Sequence, residues 1–146
     1  MEQPAKELSG KLALVTGGSK GIGKAIADVL LEAGATVVIT ARNQPVDDIP
    51  NHHFIKSDLT IPGETDKLVR HINDQFGTID ILINNMGGST SPSGGYGALS
   101  DEHWGNDLQL NLLSSVRIDR AILPQMVEKI SGLFTGILHN WCELYH

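Results

Sequence analysis

Apolar residues fall in short blocks that alternate with amphipathic stretches. Residues 12–15, LALV, form an unbroken apolar run that ends at Thr16, and TVVIT at 36–40 is β-branched throughout. Continuous runs of this kind suit parallel strands buried on both faces. The first of these strands is predicted over 11–16 and the second over 36–40. Between them a helix is predicted over 22–33, with Ala25, Ile26, Val29 and Leu30 at helical spacing and Gly34 where a helix end takes a glycine. Residues 41–50 read as a loop with prolines at 45 and 50, and 53–57 as a short third strand with Asp58 at its end. Thr60 then reads as the N-cap of a helix with Pro62 in its first turn and Leu68, Val69, Ile72 and Phe76 on its apolar face. Gly77 ends that helix, and 80–84, DILIN, give a fourth strand. A long polar loop over 86–99 leads to Ser100, which caps a helix with Asp101 and Glu102 in its first turn, where the dipole favours acids. Helical spacing through Trp104, Leu108 and Leu112 carries that helix to about residue 129, with a kink predicted at Pro124.

Strands that alternate with helices imply an α/β fold: a doubly wound parallel sheet in a three-layer α/β/α arrangement, with right-handed crossovers. Ligands of such sheets bind beyond the carboxyl ends of the strands. The candidate residues gather there. A glycine turn follows the first strand, Arg42 the second and Asp58 the third, while Asn85 and Gly87 follow the fourth. The turn holds Gly17, Gly18, Gly21 and Gly23 between a strand and a helix. That geometry aims backbone N–H groups and a helix N-terminus at a phosphate, with no Cβ to hold the ligand away.

Composition narrows the classes. A length of 146 residues with 40% hydrophobic content suits one domain with one core. A net charge of −6 argues against a general nucleic-acid binder. No apolar run approaches the roughly 20 residues of a membrane helix. Cys142 is alone and the first ten residues, MEQPAKELSG, are polar, so no disulfide framework and no secretory leader are expected, and the chain reads as cytoplasmic. No cluster of His, Cys or acids has ligand spacing, so no metal is expected. His52 and His53 read as surface residues and Tyr96 as solvated, with Trp104 and Trp141 as core or interface anchors.

The glycine turn nearly spells a P-loop, through Gly18, Gly23 and Lys24, but Ala25 stands where the Mg²⁺-ligating hydroxyl belongs, which argues against an NTPase. It also lacks the third glycine of G-x-G-x-x-G. It matches T-G-x-x-x-G-x-G in full, at Thr16, Gly17, Gly21 and Gly23. Asn84-Asn85-Met86-Gly87 resembles the motif N-N-A-G, and Asp58 in SDLT and Asn111 in the last helix complete the set. Taken together over residues 8–131, these motifs resemble the short-chain dehydrogenase/reductase family of Rossmann-fold, NAD(P)(H)-dependent oxidoreductases. The resemblance implies that Ser19 and the Ile22 backbone meet the pyrophosphate, that Asp58 bonds the adenine amino group with Leu59 as its backbone neighbour, and that Asn85 and Gly87 wall the adenosine ribose. It casts Asn111 as the catalytic member that holds the helix and a water beside a lysine. Met86 departs from the usual alanine.

Coenzyme choice can be read from the residues themselves. An NAD site takes a carboxylate at the end of the second strand to hold the ribose 2′-OH. Here Thr40-Ala41-Arg42 supplies no acid, and Lys20 adds a second cation inside the turn. Two cations favour the 2′-phosphate of NADP(H). The family's serine and Tyr-x-x-x-Lys are not found: neither Tyr96 nor Tyr145 has a lysine four positions on, and residues 133–146 look unlike the family. The expectation is therefore one incomplete dinucleotide-binding domain over residues 1–146, truncated after the fourth or a degenerate fifth strand. An uncovered edge on the fourth strand, screened in part by Phe134, Ile137, Leu138 and Trp141, would promote association as a homo-oligomer. The expected function is an NADP(H)-dependent oxidoreductase of small carbonyl or alcohol substrates, catalytically incomplete in this chain. The alternative is a non-catalytic dinucleotide-binding or interaction module.

Overall fold

The computed structural model describes residues 6–129 and 133–136. Five strands form one parallel sheet: β1 (Leu12–Thr16), β2 (Thr36–Ala41), β3 (His53–Lys56), β4 (Ile81–Asn84) and β5 (Leu133–Gly136). Their order is β3-β2-β1-β4-β5, so the chain reverses its direction of travel across the sheet between β1 and β4. β1 is central, with Val15 in register with Ile39 on one side and Ile83 on the other.

The helices cover both faces. α1 (Gly21–Glu32) joins β1 to β2, and α2 (Glu64–Phe76) joins β3 to β4. A long helical segment then leads to β5: α3 (Asp101–Leu108), a π-helical stretch Gln109–Leu113, and α4 (Ser114–Lys129). Pleating divides β1 between two cores. Ala13 and Val15 pack with Val37, Ile39 and Ala27 under α1, while Leu12 and Leu14 pack with Leu68, Ile72, Ile118 and Ile122 under α2 and α4. The continuous apolar strands follow from this two-sided burial.

Several expectations need correction. α2 does not start at Thr60. Asp58 Oδ1 accepts from both the Thr60 amide (3.0 Å) and the Thr60 hydroxyl (2.6 Å), so the capping residue is spent on a turn. Gly63 takes the cap position instead, at φ +88°, which glycine adopts without Cβ strain. Val29 is turned outward, and the core face of α1 carries Gly23 and Ala27, with Ile26, Leu30 and Leu31 at its margin. The last helix is not uniformly α, and it runs on through Pro124 to Lys129. β5 pairs with β4 from Ile81↔Leu133 to Asn84↔Gly136, so the fourth strand's outer edge is covered by a strand. Phe134 lies in that strand, while Ile137, Leu138, Trp141, Cys142 and Tyr145 lie outside the described residues.

The end of the sheet away from the glycine turn is tied by Asp80. One carboxylate oxygen accepts from the Leu12 amide at 2.9 Å, and the other lies 3.3 Å from Lys129 Nζ. Asp80 is 7% exposed, whereas the Lys129 side chain keeps 48% of its exposure. The two ends of this interaction therefore carry unequal weight. Asp80→Ala, which strands a buried amide, should cost about 1–3 kcal/mol in urea unfolding. Lys129→Ala should cost less than about 1 kcal/mol, because its ion pair is half in water.

Asp119 on α4 accepts from Asn84 Nδ2 at 2.6 Å. Burial raises its pKa above the usual carboxylate value, and the Asn84 hydrogen bond offsets part of that rise. The folded state thus holds this proton more tightly than the unfolded chain, so stability falls as pH rises through the window above 3.8. Asp119→Asn keeps an acceptor for Asn84 and has no charge to bury. It should be the more stable protein at pH 7, and its advantage should disappear below about pH 4, where the native carboxyl is protonated.

Candidate functional site

A pocket of about 640 Å³ opens at the carboxyl ends of the strands, where the sheet order reverses. Three of the segments that line it carry expected site residues. The glycine turn contributes Gly17, Ser19, Lys20, Gly21 and Ile22; the end of β2 contributes Ala41 and Arg42; the turn after β4 contributes Asn85, Met86 and Gly87.

The turn is held open by one hydroxyl. Thr16 Oγ1 accepts from the amides of Asn85 (3.0 Å) and Met86 (3.1 Å), and lies 3.4 Å from the Ile83 carbonyl to which it donates. Asn85 Nδ2 donates to the Gly17 carbonyl at 3.1 Å, and the Gly17 amide donates to the Thr40 carbonyl at 2.8 Å. The ends of β1, β2 and β4 are thereby fixed to one another. Gly23 is packed beneath this knot rather than on the pocket wall. A Cβ there would sit 2.2 Å from Asn85 Nδ2 and 2.3 Å from the Gly17 carbonyl oxygen. Gly17 and Gly21 take positive φ, +64° and +58°, which bends the chain into the helix.

Among the described residues, no side chain caps the N-terminus of α1. The contrast is with α3, where Ser100 accepts from the His103 amide and the His103 ring accepts from the Ser100 amide. The first-turn N–H groups of α1 are therefore left for a ligand beside the pocket. Asn85 is 8% exposed, and its Oδ1 has no hydrogen-bond partner among the described residues. A bare helix start, a bend without side chains and the cations Lys20 and Arg42 suit the phosphate acceptors of a dinucleotide, and the unspent Asn85 oxygen suits one of its hydroxyl donors.

Besides Gly23, three expected site residues, Asp58, Leu59 and Asn111, lie off the pocket wall. Asp58 is engaged with Thr60. Leu59 is buried in the core under α2, and its carbonyl accepts from Arg117 at 3.3 Å. Asn111 lies in the π-helical stretch, where the Ser114 amide reaches back five residues to Gln109. Asn111 Nδ2 donates to the Asp107 carbonyl (2.9 Å) and the Gly88 carbonyl (2.7 Å), and its Oδ1 accepts from the Gly88 amide (2.9 Å). Its whole side chain is engaged, and it fastens the strand end that carries Asn85–Gly87. The buried carboxylate of Asp107 adds a second clasp, accepting from Ser89 Oγ (2.9 Å) and Ser91 Oγ (3.1 Å).

Sequence reasoning missed part of the wall. Residues 43–47, with Val46 fully exposed, line the pocket beyond Arg42, and Asp47 brings a carboxylate to it. Leu110 lines it as well. His52 is not the plain surface residue expected, because only 4% of its side chain is exposed. His53 packs its ring on Phe76, with centroids 4.6 Å apart. Tyr96 is 87% exposed and Trp104 half-buried. Among the described residues, no helix is long and apolar enough to cross a membrane, and no group of three or more His, Cys, Asp or Glu is placed to hold a metal.

The short chain dehydrogenase family model matches residues 11–136. That range includes β5, so the likeness runs past the point where the sequence motifs stop. The chain is 37% identical over 136 residues to the 3-oxoacyl-[acyl-carrier-protein] reductase FabG of Vibrio cholerae, covering 89% of this chain and 55% of that one. A short-chain dehydrogenase from Streptomyces avermitilis superposes with a TM-score of 0.79 at 32% identity, covering 86% of this chain and 48% of its own. The aldohexose dehydrogenase of Thermoplasma acidophilum superposes with a TM-score of 0.75 at 27% identity, covering 84% of this chain and 47% of its own. The chain spans about half the length of the relatives it matches.

The Thr16 knot makes a direct prediction. Thr16→Val keeps the shape but strands two buried amides, and should cost about 2–4 kcal/mol in chemical unfolding. Thr16→Ser, which keeps the acceptor, should recover most of that loss.

Proposed function

The chain belongs to the short-chain dehydrogenase family, and from that premise we propose that it forms the coenzyme-binding part of an NADP(H)-dependent oxidoreductase of small carbonyl or alcohol substrates. When bound, the nicotinamide coenzyme donates or accepts the hydride. The chain's own residues bind and orient it. The glycine bend and the uncapped first turn of α1 receive the pyrophosphate, with Ser19 and the Ile22 backbone beside it. Asn85 and Gly87 wall the ribose, and Asp58, whose bonds to Thr60 use only Oδ1, meets the adenine with the Leu59 backbone from beyond the pocket wall. Asn111 serves the reactive end by holding Gly88, and through it the turn after β4.

The observation that carries the coenzyme assignment is the pair of cations lining one pocket, Lys20 from the glycine turn and Arg42 from the end of β2, with no acid at that strand end. A 2′-phosphate rewards such a pair with charge-assisted hydrogen bonds. A 2′-OH would instead call for a carboxylate at the strand end. Asp47 lies farther along the loop and offsets only part of that positive charge. Self-association is supported by Leu108, Leu112 and Val116, which recur every fourth residue along the last helical segment and remain exposed.

Equilibrium titration of Arg42→Asp tests the assignment. NADPH affinity should fall about 10- to 100-fold, on the order of 1.4–2.8 kcal/mol, while NADH affinity falls less than about threefold. Equal losses for the two coenzymes, or no binding of either by the unaltered chain, would contradict it.

A further inference from the structure

The phosphate end of the pocket has two walls. One is the glycine turn leading into α1, and the other is the connection between β2 and β3, residues 42–47. That connection runs from Arg42 to His52 without a helix or strand. Its shape therefore depends on where it is fastened. One fastening is Ile49, which packs against the apolar cluster under α1.

The other fastening is His52. Its side chain keeps only 4% of its exposure, although its neighbours Asn51 and His53 are exposed. Nδ1 lies 3.1 Å from the Pro50 carbonyl oxygen. Nε2 lies 3.3 Å from Asp28 Oδ1 on α1, within ion-pairing distance but short of hydrogen-bond alignment. The second oxygen of Asp28 accepts from Lys24 Nζ at 2.7 Å, in the first turn of the same helix. Both atoms nearest the ring nitrogens are acceptors.

We propose that His52 is a positioning residue for coenzyme choice: with Asp28 it ties the loop that carries Arg42, Asn43 and Gln44 to the helix that begins at the glycine turn. The tie sets the distance between the two walls. A coenzyme with a 2′-phosphate touches both walls and depends on that distance, whereas one with a free 2′-OH has little to gain from it. The inference rests on the coenzyme reading above.

NADPH and NADH are titrated by nicotinamide fluorescence into the unaltered chain, His52→Ala, His52→Gln, Asp28→Asn and the Asp28→Asn/His52→Ala double variant. Amide hydrogen exchange of residues 43–51 is followed without coenzyme. His52→Ala should weaken NADPH about tenfold and NADH about twofold or less, and should speed exchange in the loop. Asp28→Asn should act in the same direction, and the double variant should be no worse than His52→Ala, as for two residues of one tie. His52→Gln, which keeps one donor, should recover part of the selectivity. An unchanged NADPH-to-NADH ratio, equal losses of both coenzymes, additive losses or unaltered loop exchange would each overturn the proposal. If His52→Ala does not fold, Asp28→Asn decides by the same ratio and the same exchange. Failure of the unaltered chain to bind either coenzyme would overturn the coenzyme reading and this inference with it; normal binding with an unchanged ratio would overturn the inference alone.

Discussion

One buried hydroxyl joins β1 to β4 at the end where the pocket opens, and the residue beside it joins β2. Thr16 Oγ1 takes two amides from the turn after β4, and the neighbouring Gly17 reaches β2 through its own amide. The constraint is geometric as much as energetic. Two loops can come this close only if residue 23 has no side chain, because Asn85 and the Gly17 carbonyl occupy that space. The bend then presents amides rather than side chains, and α1 starts without a capping residue. A ligand with a negatively charged, multi-oxygen group is the natural complement to that surface.

The rest of the fold supports this arrangement from two sides. Two apolar clusters clamp the sheet, one under α1 and one under α2 and α4, so the strand ends have little freedom to shift. The loop after β4 is held less by burial than by hydrogen bonds, from Asn111 to Gly88 and from Ser89 and Ser91 to Asp107. The π-helical stretch gives Asn111 this reach. A π turn leaves one carbonyl without its usual backbone partner: the Ser114 amide goes to the Gln109 carbonyl, and the Ser114 hydroxyl bonds the Leu110 carbonyl instead. The same irregular stretch carries Asn111, which secures the loop.

Much of the fold could be read along the chain because its information is local. Buried parallel strands write themselves as unbroken apolar runs, and the glycine turn declares itself by spacing. Gly17, Ser19, Lys20, Arg42 and Asn85 all line the pocket for the same reason: each lies within a few residues of a strand's carboxyl end. What escaped reading depends on partners distant in sequence. Thr60 looks like a cap until Asp58 claims it. The π stretch keeps helical spacing, and its Asn111 is bonded to a loop some twenty residues earlier, at Gly88. β5 is short and ends in glycine, and its place becomes clear only through its pairing with β4. His52 follows a proline-rich loop and reads as solvated, yet Asp28 lies beside it in space. The wall at residues 43–47 carries no periodic pattern, so nothing in its sequence marks it as part of a pocket.

The central claim is that bare backbone amides at the head of α1, braced by Thr16, receive the coenzyme's diphosphate. Backbone ¹H–¹⁵N resonances followed during NADPH titration test it residue by residue. The account predicts that the largest shifts fall on Gly17–Ile22 and on Asn85–Gly87, with smaller ones at Arg42 and little change along α2. Shifts centred on another face, or a spectrum that NADPH leaves unchanged, would contradict it.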